Sequence, residues 1–242
     1  MQWQNFSHIL KEVLALSLSP VAITRKPKGA AAGASAQKIR ICKAILDAAS
    51  GSTCVVCKET NVCFGAAWHL GFHKLKDQRV RDMTRKFVVE GEKLFASYEA
   101  LDNLLSQMED VPDYSDSCFV LTPMEKAEQK PELVIFVCNP EQACRLLTLV
   151  MFPDGRMPKI KMGGPTCRLA IIYPLLTGEV NISFYDYTAR KICNVPSDKL
   201  LVSIPYQRMP RLIADIDICS GGKAKVEYPH EFREFLRKRL TG

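Results

Sequence analysis

The run Leu133-Val134-Ile135-Phe136-Val137-Cys138, followed at once by Asn139-Pro140-Glu141, is the feature that most constrains the fold. Its apolar residues are mostly β-branched or aromatic and favour a strand. Asparagine then supplies an N-cap, proline suits the first helical position and glutamate complements the helix dipole, so the strand passes directly into a helix over 140–151. Such a junction predicts the α/β class, with α+β as its variant, and a mixed β-sheet flanked by helices. It also places free backbone N–H groups at a sheet edge, where ligands bind in open α/β sheets. Asn139 and Arg145, with Gly164 of the Gly163-Gly164 pair, are therefore candidates to hold an anionic small molecule as a binding module without catalysis. The glycine pair lacks a full phosphate-loop or dinucleotide pattern, so no nucleotide is implied.

The rest of the chain alternates in the same way. Phe6, Ile9, Leu10, Val13 and Leu14 fall at helical spacing, Pro20–Thr24 reads as a strand, and Ile39–Ala49 reads as a helix stopped at Ser50-Gly51. A strand over 53–59 and a helix opened by Cys63 and running to Leu70 follow. Leu94, Tyr98, Leu101, Leu105 and Met108 predict one long amphipathic helix. Cys118–Leu121 is a strand and Thr122-Pro123-Met124-Glu125 resembles a capping box. After Leu200–Ile204, a helix over 207–216 and a charged helix over 230–240 close the chain, the last one packing through Phe232, Phe235, Leu236 and Leu240.

No linker-like segment divides residues 1–242, and 47% hydrophobic residues suffice for one continuous core, so a single domain is expected. The net charge of +7 comes from 33 basic and 26 acidic residues spread along the chain. Only the stretch from Arg25 to Arg40 concentrates it, around a Gly/Ala/Ser-rich centre that reads as a mobile loop. That stretch has no aromatic residue for base stacking, which argues against a nucleic-acid groove. The N-terminal helix lacks the order of a signal peptide, and the uncharged stretches fall short of the ~20 residues that span a bilayer. A cytoplasmic protein with no membrane association is expected.

Ten cysteines in a reducing compartment are thiols rather than a disulfide framework. Cys138 and Cys144 read as small hydrophobes in apolar segments. Cys42, Cys54, Cys57 and Cys63 stand within one short region, and thiols at helix starts can ligate a metal or react. In Cys54-Val55-Val56-Cys57 the valines favour extended chain, whose side chains three apart face opposite ways, so this pair does not easily share one ion. Cys42 and Cys63, supported by Cys57 or Cys167, make the better set. Soft sulfur ligands favour an iron-sulfur cluster, with zinc as the alternative, and such a site serves electron transfer to a redox partner or acts as a Lewis acid. His69 and His73 follow Cys63 by six and ten residues, and on a continuous helix His69 turns away from Cys63, which disfavours a thiol–imidazole nucleophile.

Laying Cys42-Lys43-Ala44-Ile45…Gly51 on Cys167-Arg168-Leu169-Ala170…Gly178 gives an internal echo. A β-rich segment follows in both, then a helix start at Cys63-Phe64-Gly65-Ala66 or at Asp186-Tyr187-Thr188-Ala189. The echo predicts two related units facing each other, with Cys42 and Cys167 in equivalent places. Pro20-Val21-Ala22, Cys42-Lys43-Ala44-Ile45, Cys63-Phe64-Gly65-Ala66 with Leu70-Gly71, Asn139-Pro140-Glu141-Gln142-Ala143, Cys167, Thr177-Gly178 and Ile204-Pro205 form an ordered set. In these residues the chain resembles the domain of unknown function 169 family. The resemblance implies a cytosolic protein typical of anaerobic archaea and bacteria, and no established activity. It draws Cys42, Cys63 and Cys167 forward over Cys54 and Cys57, while Asp186 to Arg190 departs from the expected glycine- or cysteine-rich turn and leaves no fourth thiol there.

Overall fold

A computed structural model describes residues 2–31, 37–73 and 78–240. The chain runs through α1 (Gln2–Val13), β1 (Val21–Pro27), α2 (Ile41–Ala49), β2 (Cys54–Val56), α3 (Phe64–His69), α4 (Gln78–Lys86), α5 (Tyr98–Leu105) and β3 (Ser117–Pro123). It continues through β4 (Leu133–Cys138), α6 (Pro140–Met151), α7 (Tyr173–Thr177), β5 (Asn181–Ser183), α8 (Tyr187–Ile192), β6 (Leu200–Pro205), α9 (Met209–Ala214) and α10 (His230–Leu240). The strands form one six-stranded sheet in the order β2-β3-β1-β4-β6-β5. Every neighbouring pair is antiparallel, and the parallel pairing recorded is the isolated bridge Ile39–Asn61. This is the helix-flanked sheet of the α/β and α+β classes, with the strand directions of the latter.

The strand order reads the same from either edge, and the registers match. In the first half Val21 pairs with Pro123, and in the second Leu133 pairs with Pro205. At the centre β1 meets β4 through Val21–Ile135, Ala22–Val134 and Ile23–Leu133, so the Ala22–Val134 pair is its own counterpart. The outer strands agree: Cys54 faces Leu121 as Asn181 faces Ser203. Each half thus builds strand, helix, short outer strand, helix and inner strand around a local twofold, as the echo predicts.

Side-chain alternation splits the core between two sheet faces. Val21, Ile23, Leu133, Ile135 and Val137 pack with α2, α3, Cys167, Ala170–Ile172 and Ala189 of α8. Ala22, Val134, Phe136 and Cys138 pack instead under α1, α6 and α9, where Phe6, Leu10, Leu146, Leu149 and Leu212 are buried. Trp3 of α1 donates its indole N–H to the Ala127 carbonyl at 2.9 Å, and Ser7 and Ser19 both donate to the Glu125 carboxylate, at 2.8 and 2.6 Å.

The β4–α6 junction forms as its sequence dictates. Asn139 Oδ1 accepts from the Gln142 N–H at 2.9 Å while Gln142 Oε1 accepts from the Asn139 N–H at 3.0 Å, a reciprocal capping box with Pro140 at the first helical position. Other expectations are corrected. The long helix over 94–108 is the eight-residue α5, because Lys93 takes a left-handed conformation (φ 55°) and Ser97 caps a fresh helix start by accepting from the Ala100 N–H. Thr122 caps nothing; its hydroxyl is 2.7 Å from that of Thr53 across the β2–β3 pair. Phe232, Phe235 and Leu240 of α10 are exposed, and α10 buries no residue, so this helix does not pack as expected. Arg25 and Lys26 belong to β1, and the centre of the basic segment, 32–36, lies outside the described residues.

Residues 72–73 and 78–116 belong only to the first half. The corresponding link from α8 to β6 is 193–199. This insertion is pinned at its ends by the Tyr114 N–H donating to the Gly71 carbonyl at 2.8 Å. Gly71 has φ +73°, and a Cβ there would lie 2.2 Å from the Pro112 carbonyl oxygen, a backbone atom with no freedom to swing aside. Gly71→Ala is expected to destabilise the protein by about 2–4 kcal/mol, read as a lower midpoint in urea unfolding with little change in slope.

Candidate functional site

The two halves bring four helix starts together on one face of the sheet. In the first half, the Ile39 N–H donates to the Thr60 carbonyl at 2.8 Å and the Val62 N–H to the Ile39 carbonyl at 3.3 Å, which sets the start of α2 beside that of α3. Asn61 fixes the approach to α3: its Nδ2 donates to the Cys63 carbonyl at 2.7 Å and its Oδ1 accepts from the Cys63 N–H at 3.2 Å. Cys63 is then the N-cap, its Sγ accepting from the Ala66 N–H at 3.5 Å. In the second half, Thr166 donates its hydroxyl proton to Asp186 Oδ2 at 2.8 Å and accepts from the Asp186 N–H at 2.8 Å. Asp186 caps α8, its Oδ1 accepting from the Ala189 N–H at 2.8 Å. The local twofold therefore relates Cys42 in the first turn of α2 to Cys167, and the cap Cys63 to the cap Asp186.

Between these starts lies a cleft of about 420 Å³. Cys42, Cys63, Cys167 and Cys193 line it, with Asp186, Tyr185 and Gly164. The insertion supplies a further wall through Phe87, Val88, Leu101 and Leu104. Burial, followed by the neighbouring Cys167, pushes the Cys42 thiol well above its ordinary pKa. Burial and then Cys63 do the same to Cys167. These two are neutral thiols at neutral pH unless something draws off their protons. Tyr185 is 1% exposed and its hydroxyl makes no hydrogen bond, although it lies within electrostatic reach of Cys42 and Cys193. An unpartnered buried hydroxyl costs about 1–3 kcal/mol, so its persistence beside two thiols asks for an acceptor. Two π-helical turns, a rare conformation frequent at functional sites, border the cleft: Phe87–Gly91 in the insertion and Arg168–Ile172 directly after Cys167.

The sequence candidates divide accordingly. Cys42, Cys63 and Cys167 come together, and Gly164 lines the same cleft. Cys57 lies elsewhere, buried with Val55 and Cys118, while Cys54 packs against the main core; the extended backbone turns the pair apart as expected. Asn139 and Arg145 sit on α6, across the sheet from the cleft. Asn139 is spent on its helix cap, and Arg145 donates to the Gly221 and Gly222 carbonyls at 3.0 and 2.8 Å. The expected anion site of Asn139, Arg145 and Gly164 is therefore not assembled, because strand register and not sequence distance decides which face a helix covers. Cys138 is a core thiol, pushed up to about 12 by burial. Sequence reading missed Tyr185 and Cys193 as cleft residues. The echo held the signal, since both flank the segment opposite α3.

His69 is structural. It is 5% exposed, stacks on Trp68, and its Nδ1 faces an Arg168 nitrogen at 3.5 Å. Burial first, and the Arg168 charge second, lower its pKa from 6.5 to about 3, so the ring is neutral when folded. Unfolding restores the ordinary value. Stability from this residue is thus complete above about pH 6.5 and lost by about 1.4 kcal/mol per pH unit toward pH 3. His69→Gln is expected to flatten that slope between pH 6.5 and 5 in urea titrations at stepped pH.

Among the described residues no helix is long and apolar enough to cross a membrane. The chain matches the model of the family described as DUF169, Uncharacterised ArCR, over residues 9–215. No curated protein and no solved structure matched it.

Proposed function

We propose that this chain, which belongs to the DUF169 family of Uncharacterised ArCR proteins, binds an iron-sulfur cluster through Cys42, Cys63 and Cys167. It would do so in the cytoplasm of an anaerobe, in a redox-associated role with a partner protein. One observation carries the reading: thiols from both half-units, Cys42 and Cys63 from the first and Cys167 from the second, line a single cleft. Among the described residues no group of three His, Cys, Asp or Glu side chains is close enough to hold a metal ion. A lone zinc, with Zn–S bonds of about 2.3 Å, needs its sulfurs within about 4 Å of each other. A cluster places each thiolate on a different metal atom and so accepts a wider spread. Soft thiolate ligands suit a cluster, with zinc as the alternative.

The surroundings suit the same group. Tyr185 would donate its idle proton to the Cys42 sulfur once that sulfur carries charge, the role that outer hydrogen bonds play at metal sites. The Ala66 N–H already donates to the Cys63 sulfur at 3.5 Å, as outer hydrogen bonds do to ligating atoms. When bound, the cluster would supply one-electron transfer or a Lewis acid. Apolar side chains of the insertion would keep water from it. Asp186, tied up in capping α8, stands where a fourth thiol would complete the twofold.

Anaerobic reconstitution with iron and sulfide is the test. Wild-type protein and Cys57→Ala are expected to retain both elements after desalting, and Cys42→Ala, Cys63→Ala and Cys167→Ala to lose them. Tyr185→Phe, which removes an unsatisfied buried group, is expected to fold normally and to release iron to a chelator about 10–100 times more readily. Iron retained in Cys63→Ala, or stoichiometric zinc without sulfide in the wild type, would overturn the reading.

A further inference from the structure

The cleft is larger and more apolar than three thiols require. Its 420 Å³ falls within the range of about 300–1,000 Å³ typical of small-molecule sites. One wall is the insertion, which completes neither half's sheet and has no counterpart after α8. Leu101 is buried there, but Phe87 is 54% exposed and Leu94 is 38% exposed, although both line the cleft. Phe184, Tyr187 and Ile192, from the second half around α8, line the same cleft and are each also partly open to solvent. Apolar side chains brought to one cleft from two separate parts of the chain and left unburied by their own neighbours await an apolar occupant. The cleft is too small for a helix or strand of a partner, and a helical insertion already stands over one side.

Charge narrows the chemistry further. Asp186 and Glu92 place two carboxylates on the lining against the single guanidinium of Arg40, and His69 contributes no charge. An anion would meet net repulsion together with the cost of leaving water for an apolar cavity. The polar groups present suit a molecule with few hydrogen-bonding atoms.

We propose that the cleft binds an uncharged, largely apolar organic molecule of at least two fused or linked rings' bulk. It would lie against Phe87 and Leu104 of the insertion and Phe184 and Ile192 of the second half, beside the thiols. This deepens the reading of the cleft as the functional site, but it rests on the apolar walls and not on the metal.

The test uses full-length protein stripped of metal and kept in chelator, titrated by fluorescence with N-phenyl-1-naphthylamine, which is uncharged. A second titration uses 8-anilino-1-naphthalenesulfonate, the same ring system carrying a sulfonate. Saturable one-to-one binding of the uncharged probe is expected, at least about ten times tighter than the sulfonate. Phe87→Glu, at an exposed position, and Leu104→Glu are expected to weaken it about ten-fold, with the thermal midpoint of Phe87→Glu within a few degrees of wild type. Absence of saturable binding, preference for the sulfonate, or unchanged affinity in a folded Phe87→Glu would overturn the proposal. Cys63→Ala separates the two readings: it removes iron if the cluster reading holds, whereas probe binding by the stripped protein stands or falls without it.

Discussion

The antiparallel pairing of β1 with β4 governs everything built upon it. Ala22 and Val134 face each other at the crossing and both are fully buried, so this pair fixes the register of the two half-units to the residue. A slip of one position would turn Val21, Ile23, Leu133 and Ile135 to the opposite face and exchange the two cores. Because the halves meet about a twofold there, equivalent helix starts converge on the same side of the sheet. The cleft is the space those starts leave open, and its cysteines owe their proximity to a hydrogen-bond ladder in which none of them takes part.

Two devices then hold the starts in place, one in each half, and they differ in chemistry. Backbone bonds around Ile39 and Asn61 join α2 to α3, whereas a side-chain exchange between Thr166 and Asp186 joins the Cys167 segment to α8. The insertion after α3 adds a wall on one side alone. A near-symmetric frame thereby carries an asymmetric site, with thiols from both halves and the apolar side chains of the insertion along one wall.

What was legible in the sequence was local. Six apolar residues followed by Asn139-Pro140-Glu141 specify their own strand, cap and helix, and the structure reproduces the junction. Cys63 and Asp186 were readable as helix starts for the same reason. The echo between 42–51 and 167–178 is visible because both copies open on a cysteine and close on a glycine, nine residues apart in the first and eleven in the second. What depended on distant contacts was not legible. The apolar spacing from Leu94 to Met108 fits one helix, and nothing in it announces that Lys93 turns left-handed and that the helix begins only after Ser97. The apolar stripe on α10 predicts a packing face, but periodicity gives a face and not its partner. Asn139 and Arg145 looked like neighbours of Gly164 until the register of β4 put a sheet between them.

The substitution of a carboxylate for a thiol at the twofold-related cap has a consequence for recognition. A pocket with true twofold symmetry offers an asymmetric guest two equal poses. Cys63 and Asp186 cap matching helices, yet one presents a soft, polarizable sulfur and the other a hard, charged oxygen. They make the two ends of the cleft chemically unlike, so that an asymmetric guest would meet different surroundings in its two orientations. Inherited symmetry would supply the shape of the chamber, and that single broken correspondence would supply its handedness.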